Sequence, residues 1–226
     1  MINPATYDQL SASEAIQLQK EMRAQVDLTP LKRTPKVIGG ADISFNKFEE
    51  TVYAGIVLLS YPDMKFYGDS RVIAKTKFPY ISGLLAFREV PALWQAWNQL
   101  TIKPDVLILD GQGIAHRRRM GIATHFGMIA DTPAIGCAKS RLTGTFTEPT
   151  NEPFAHTPLM DKEEQIGYVF RSKRNCKPLF ISPGHQISMA QSLDIITTCM
   201  GRYRMPEPTR LAHQLVNEIR IADKPR

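Results

Sequence analysis

Cysteine is scarce in this 226-residue chain. The three thiols, Cys137, Cys176 and Cys199, are odd in number, far apart and without a Cys-x-x-Cys pair. A disulfide framework or a structural zinc site needs paired or closely spaced cysteines, so this pattern predicts neither. A reducing compartment fits the chain best. Cys137 and Cys199 lie among apolar residues and are interpreted as core thiols.

Long apolar runs and a targeting segment are also missing. No run approaches 18 apolar residues, and the stretch Met1-Ile2-Asn3-Pro4 has neither a basic nor an apolar region. We therefore predict no membrane span and no export signal. The expected location is the cytosol or the nucleus, with the cytoplasm preferred. Internal repeats and low-complexity segments are absent from the sequence as well.

The overall composition is that of an ordinary globular protein. Hydrophobic residues make up 43% and charged residues 22%, and this length favours a single domain over residues 1–226. We also expect a monomer. The formal net charge of +6 weakly indicates an acidic partner, of which nucleic acid is the obvious candidate.

One stretch combines groups that suit metal-assisted phosphate chemistry. The apolar run 106–109 is typical of a buried strand and ends on Asp110, after which come Gly111, Gly113 and three consecutive arginines at 117–119. A carboxylate can hold a divalent cation, and arginines can bind a phosphodiester. The alternative interpretation is that Asp110 only caps the next helix or closes a turn.

The hydrophobic pattern predicts a mixed α/β architecture. Three strands joined by short links imply an antiparallel meander, and helices and strands then alternate. Pro91 should kink its helix or begin a second segment. Residues 143–163 are expected to be loop-rich, and the last two strands to form an outer hairpin. The predicted strands are 37–45, 51–60, 71–77, 106–109, 133–138, 166–171 and 178–182, and the predicted helices are 8–27, 83–100, 121–130, 188–200 and 207–219.

Two acids lie on strands that we expect to be neighbours. Asp42 is inside the first strand and Asp110 follows the fourth, while Glu89 lies on the helix between them. Aspartate is disfavoured within a strand unless it faces solvent or a site. Two strand acids with a helix glutamate and a late helix residue are typical of a ribonuclease H-like fold.

Four segments together resemble the endonuclease V family, the deoxyinosine-directed repair endonucleases with a ribonuclease H-like core. They are Gly40–Phe45, Pro79–Glu89, Asp110–His116 and Pro206–Arg210, and the resemblance runs from about residue 37 to 215. It implies a Mg²⁺-dependent hydrolase, with Mn²⁺ as a substitute ion. It further implies cutting of DNA at the second phosphodiester 3′ to a deaminated base such as hypoxanthine, and we predict 5′-phosphate and 3′-hydroxyl products.

The resemblance also assigns roles to single residues. Asp42 and Asp110 would be metal ligands, with Glu89 as the third carboxylate. His213 falls where the family supplies a fourth polar residue, which could orient water or protonate a leaving group; alternatively it is an ordinary surface histidine. Lys139 would contact the phosphate near the cut.

A second set of residues would hold the substrate. Tyr80 would lie in a wedge that fills the gap left by an extruded base, although it could instead be a hydrophobic staple at a helix start. Ser82 and Arg117 stand where the family usually has proline, so we expect altered binding of the nucleic-acid strand and an unchanged metal site. The wedge and base-pocket candidates are Tyr80, Ile81, Ser82, Gly83, Leu85, Gly111, Gly113, His116, Ile122 and Leu142. The candidates for backbone binding are Lys75, Lys77, Arg88, Arg117, Arg118, Arg119, Lys139 and Arg141.

Other functions stay open from sequence alone. Inosine-containing RNA could be the substrate in place of DNA. A structure-selective nuclease of ribonuclease H-like fold would share the acidic core. A non-catalytic nucleic-acid-binding module would not need three acids at strand and helix ends. The sequence does not decide between one metal ion and two.

Overall fold

The computed structural model describes residues 3–46 and 49–223, and these build one eight-stranded sheet with helices on both faces. The strand order is β3-β2-β1-β4-β5-β8-β7-β6. The strands are β1 (Val37–Phe45), β2 (Thr51–Ser60), β3 (Phe66–Lys75), β4 (Val106–Leu109), β5 (Ala134–Ala138), β6 (His156–Asp161), β7 (Glu164–Phe170) and β8 (Leu179–His185). The helices are α1 (Ala12–Arg23), α2 (Leu85–Gln99), α3 (Ile122–Ala130), α4 (Met189–Thr198) and α5 (Glu207–Ala222), preceded by a 3-10 helix over Pro4–Gln9.

The centre of the sheet brings the two strand acids to the same level. Strands β1, β2 and β3 form the predicted antiparallel meander, and β4 pairs in parallel with both β1 and β5. In the β1–β4 register Ala41 lies opposite Leu109. Asp42 and Asp110 therefore each come one residue beyond a paired position, and the prediction that their strands are neighbours is confirmed.

Alternating side chains on the central strands give the sheet two apolar faces. Leu107 and Leu109 pack with α2 and α3, whereas Val106 and Ile108 pack with α4. On β2, Val57 and Leu59 meet α5 on that second face. Helices α2 and α3 thus cover one face and α4 and α5 the other, which confirms the α/β class.

A close backbone approach fixes α5 on β1. A Cβ atom at Gly40 would lie 2.0 Å from the backbone of Pro208, in the first turn of α5. Only glycine permits this contact. The glycine that weakens β1 as a strand is therefore what lets α5 dock beside Asp42, and α5 carries His213.

Several predicted boundaries need correction. The first helix spans Ala12–Arg23 and not 8–27, with Ser11 and Glu14 forming a capping box. Helix α2 runs unbroken through Pro91, so no second segment begins there; its packed apolar face outweighs one missing N–H.

The region 143–163 is less irregular than expected. It contains β6, which the sequence pattern missed because Pro158 argues against a strand; β6 is an edge strand, where proline is tolerated. The predicted outer hairpin is also misplaced. Strands β7 and β8 do pair, but β8 lies inside the sheet between β5 and β7.

Among the described residues, no helix combines the length and apolarity that a membrane crossing requires.

Candidate active site

Three side chains converge where β1, β4 and α5 meet. Asp42, Asp110 and His213 each offer a ligand atom, and these atoms lie within 4.8 Å of one another. Asp42 is only 7% exposed. Its Oδ1 accepts a hydrogen bond from the N–H of Ile43 at 2.9 Å, and its Oδ2 lies 2.7 Å from His213 Nδ1. Side chains from three distant parts of the chain thus form one polar cluster.

The carboxylates of this cluster repel one another. Burial and the nearby charge of Asp110 raise the pKa of Asp42 to about 6, against the opposing effect of His213. Burial and the charges of Asp42 and Asp110 raise the pKa of Glu89 to about 8. A divalent cation would relieve this repulsion. Carboxylate oxygens are the ligands that Mg²⁺ and Mn²⁺ prefer, so the residues present fit such an ion.

The membership of the cluster differs from the expected ligand set. We predicted Asp42, Asp110 and Glu89, but the third member is His213, and Glu89 on α2 lies outside the group. Glu89 is close enough to be affected by both aspartates and lines the adjacent cavity. Sequence reasoning also missed Asn217, whose amide donates to His213 Nε2 at 3.0 Å from one turn further along α5. Their i, i+4 spacing is the signal that could have found it.

A cavity of about 400 Å³ opens beside the acids, between the starts of α2 and α3 and the loops that follow β4 and β5. Asp110, Glu89 and Lys139 are among its charged lining residues. Most predicted pocket residues line it, namely Ser82, Gly83, Leu85, Gly111, His116, Ile122 and Leu142. Six further residues line it without any signal in the sequence, namely Ala86, Gln112, Met120, Gly121, Ala138 and Ser140.

Gly113 is not among the lining residues, contrary to its predicted place in the pocket. It packs against β8 instead. A Cβ atom there would lie 2.2 Å from the carbonyl oxygen of Pro183, and its N–H donates to Ser182 Oγ at 2.8 Å. The glycine at 113 is therefore required by packing of the loop on the sheet.

The loop that carries Lys139 is held at several points. The Lys139 ammonium forms an ion pair with Asp110. Gln112 donates from Nε2 to the carbonyl oxygen of Ser140 at 2.8 Å, and a guanidinium N–H of Arg204 donates to the carbonyl of Lys139 at 3.2 Å. These contacts place an ammonium group over the acidic cluster.

His116 is a buried, uncharged part of the cavity wall. Its Nδ1 accepts from the backbone N–H groups of Arg118 and Met120 at 3.2 and 3.4 Å. Burial, together with the charge of Arg118, lowers the pKa of His116 to about 4. At neutral pH it can therefore take part in hydrogen bonds but supplies no charge.

Tyr80 and Ile81 lie outside the cavity, next to the lining residue Ser82. Tyr80 is 65% exposed, and its ring lies edge-on to that of Phe45, with 6.0 Å between the centroids. A hydrophobic staple would be buried, so this exposure does not favour the staple interpretation. Tyr80 is free to contact a ligand that covers the cavity mouth.

Some predicted backbone-binding arginines are engaged inside the protein. Arg88 is buried and donates to the carbonyl oxygens of Phe78 and Glu49. Arg119 is buried and pairs with Asp161 and Glu164, each at 2.7 Å. Both guanidinium groups are thus engaged within the protein in this structure, and their contact with phosphate stays a prediction.

Comparisons with known proteins agree with this geometry. The sequence model of the endonuclease V family matches residues 20–214. The endonuclease V structure from Streptomyces avermitilis is 30% identical with a TM-score of 0.89, covering 95% of either chain. The human enzyme is 30% identical with a TM-score of 0.85, covering 95% of this chain and all of that one. A Ciona intestinalis endonuclease V bound to DNA with an inosine followed by a ribo-adenosine is 27% identical, with a TM-score of 0.81 and coverages of 94% and 98%. These structures confirm the ribonuclease H-like fold, and the chain therefore belongs to the endonuclease V family of nucleases.

Proposed function

We propose that this endonuclease cuts nucleic acid that contains a deaminated base, with hypoxanthine as the principal lesion. The observation that carries the proposal is the cluster of Asp42, Asp110 and His213, of which Asp110 also lines the adjacent cavity of about 400 Å³. The two parts have separate uses: the cluster holds the reacting phosphate through a cation, and the cavity holds an extruded base.

Asp42 and Asp110 would hold a Mg²⁺ ion, for which Mn²⁺ can substitute, and His213 and Glu89 complete the surroundings. Such an ion makes water more acidic and neutralises charge on the phosphate. Asn217 and Asp42 fix the imidazole of His213 through its two nitrogens. His213 is thereby held beside Asp42; to bind the ion or to take up a proton, its Nε2 would have to release the Asn217 amide.

Lys139 would shift from its ion pair to the substrate. In the free protein its ammonium is paired with Asp110, and its side chain is 41% exposed. With a cation bound, Asp110 would serve as its ligand, and the Lys139 ammonium would be released to bind a phosphate oxygen.

Lesion selection would depend on extrusion of the base. Unstacking costs a few kcal/mol, and less for a mispaired base. Tyr80, which is exposed beside the cavity mouth, can fill the gap in the stack and recover about 1–3 kcal/mol. Leu85, Gly111 and Ile122 then enclose the base.

The reaction we propose is hydrolysis of the second phosphodiester 3′ to the lesion, with 5′-phosphate and 3′-hydroxyl ends. The Ciona relatives were crystallised with inosine-containing DNA, which supports this substrate class. The ribo-adenosine after the inosine in those complexes supports a second candidate, cleavage of inosine-containing RNA. The monomeric state and the cytoplasmic location stay predictions.

One gel tests the proposal. An inosine-containing duplex, the same duplex without inosine, and an undamaged branched junction are incubated with Mg²⁺ or with EDTA. We expect cutting of the inosine duplex alone, and only with Mg²⁺. Cutting of the junction alone would favour a structure-selective nuclease, and binding without cutting would favour a non-catalytic module.

The position of the cut is read from the same reaction. A 5′-labelled strand gives the fragment length, and sensitivity of the downstream fragment to phosphatase identifies its 5′ end. A matched oligonucleotide with a ribonucleotide after the inosine compares the two candidate substrates. Cutting at the first bond, or on the 5′ side, would contradict the proposed geometry.

A further inference from the structure

The loop between α4 and α5 carries an exposed aromatic ring with two guanidinium groups against it. An isolated bridge between Met200 and Pro206 closes this loop. Tyr203 is 44% exposed, and the guanidinium carbons of Arg202 and Arg210 lie 4.9 and 4.6 Å from its ring centroid. We call Arg202, Tyr203 and Arg210 the α5 patch.

The two arginines of the patch are held differently. Arg210 pairs with Glu207 at 2.5 Å and donates to Gln214 at 2.8 Å, so its charge is already compensated. Arg202 is exposed and has no hydrogen bond or ion pair with any residue in the ranges 3–46 and 49–223. Its contact with the Tyr203 ring orients it, and its N–H donors stay available to an anion.

The patch borders the acidic cluster. Arg204, the residue after Tyr203, donates to the carbonyl oxygens of Lys139 and Pro178 and so ties the loop to the lysine above Asp110. Arg210 precedes His213 by three positions on α5, which puts both side chains on one face of the helix.

The cavity and the patch lie on opposite sides of the sheet. The cavity is built by α2 and α3, while the patch belongs to the α4–α5 side, and the acids lie between them at the strand ends. A strand with its lesion in the cavity and its reacting phosphate at the acids continues toward the patch. Under the proposed polarity this is the part of the strand 3′ to the cut.

We propose that the α5 patch binds the phosphate backbone of the substrate strand beyond the cut, with Arg202 as the phosphate contact and Tyr203 as the platform that orients it. The inference rests on the proposed function, since it needs a nucleic-acid strand at the acidic cluster. A guanidinium held in place loses less conformational freedom on binding than a free one. The patch therefore strengthens binding without reading sequence.

The variants follow from the geometry. Arg202→Gln removes the phosphate contact, Tyr203→Ala removes the platform, and Tyr203→Phe keeps the ring. Arg33→Gln is the matched control, because Arg33 is exposed just before β1, at the end of that strand away from the acids. It removes the same charge at a distance from the patch.

Binding of an inosine-containing duplex is measured by fluorescence anisotropy in EDTA, over about 50 to 200 mM NaCl. Losing one phosphate contact lowers the salt slope by about 0.9, so the affinity of the wild type should fall about 3.5-fold more over this range than that of Arg202→Gln. Tyr203→Phe should match the wild type, Tyr203→Ala should shift toward Arg202→Gln, and Arg33→Gln should keep the full slope.

An unchanged slope in Arg202→Gln, or an equal decrease in Arg33→Gln, would overturn the inference. Thermal melting of each variant checks that the fold is intact. The same wild-type preparation is assayed for Mg²⁺-dependent cutting of the inosine duplex. Cutting together with an unchanged Arg202→Gln slope refutes the patch alone, whereas failure of the wild type to bind or cut inosine refutes the proposed function.

Discussion

His125 makes the fold sensitive to acid. It lies fully buried on α3, with Nε2 2.7 Å from the hydroxyl of Tyr7 and its ring against Phe87 at 4.8 Å. Burial, with a smaller effect from His116, lowers the pKa of His125 to about 3. The unfolded chain takes up this proton near pH 6.5 and the folded chain does not. The contribution of the neutral His125 side chain to the free energy of unfolding is therefore fully present above pH 6.5 and is lost as the pH falls toward 3.

The size of the loss follows from the two pKa values. A pH of 5 lies about 1.5 units below the pKa of His125 in the unfolded chain, and each unit corresponds to about 1.36 kcal/mol. The free energy of unfolding should therefore be about 2 kcal/mol lower at pH 5 than at neutral pH because of His125. A glutamine at this position does not titrate. His125→Gln should be less stable than the wild type at neutral pH, because it loses packing against Phe87.

The assay is urea unfolding of the wild type and His125→Gln at about pH 7.5 and pH 5. Between the two pH values the wild type should lose about 2 kcal/mol more than the variant. His116 and His185 also have lowered pKa values, but they are present in both proteins and cancel in the comparison. Equal losses in the two proteins, with unchanged urea dependence, would refute the reasoning.

Three further predictions concern the site. Asp110→Asn should abolish cutting and retain binding of an inosine duplex, as read from the cleavage gel and from anisotropy; unchanged turnover would refute its role as a metal ligand. Adding Mg²⁺ should raise the melting temperature of the wild type but not of Asp42→Asn, since an ion at about 100 times its Kd stabilises the fold by about 2.7 kcal/mol; an equal rise in both proteins would place the ion elsewhere. Tyr80→Ala should weaken binding of the inosine duplex by about 1–3 kcal/mol in anisotropy while Tyr80→Phe should not; an equal loss in both would assign the effect to the hydroxyl.

Local sequence patterns predicted those helices and strands whose own residues carry a clear hydrophobic pattern. The apolar run 106–109 is a strand because it is buried on both faces, and the acids beside it were found through their unusual place on strands. That β1 and β4 are neighbours followed from the same reasoning, whereas their parallel direction is seen only in the structure. These features depend on short-range periodicity, which the sequence displays directly.

Long-range docking was not accessible in this way. The place of His213 in the acidic cluster depends on how α5 packs on β1, which periodicity does not record. The internal contacts of Arg88 and Arg119 were not foreseen either, because the sequence does not show which carbonyl or carboxylate groups lie near a basic residue in the folded chain. Gly113 was assigned to the pocket from its motif, although its glycine is needed for contact with β8.

The contact between Gly40 and Pro208 makes one backbone position responsible for the alignment of two segments more than 160 residues apart. An alanine at residue 40 would have to push α5 outward, and His213 would move with it relative to Asp42. The cavity, formed by α2 and α3 on the other face, would stay in place. Damage at this spot would therefore disturb the acidic cluster and the α5 patch while leaving the cavity intact, although residue 40 lies in neither the cavity nor the patch.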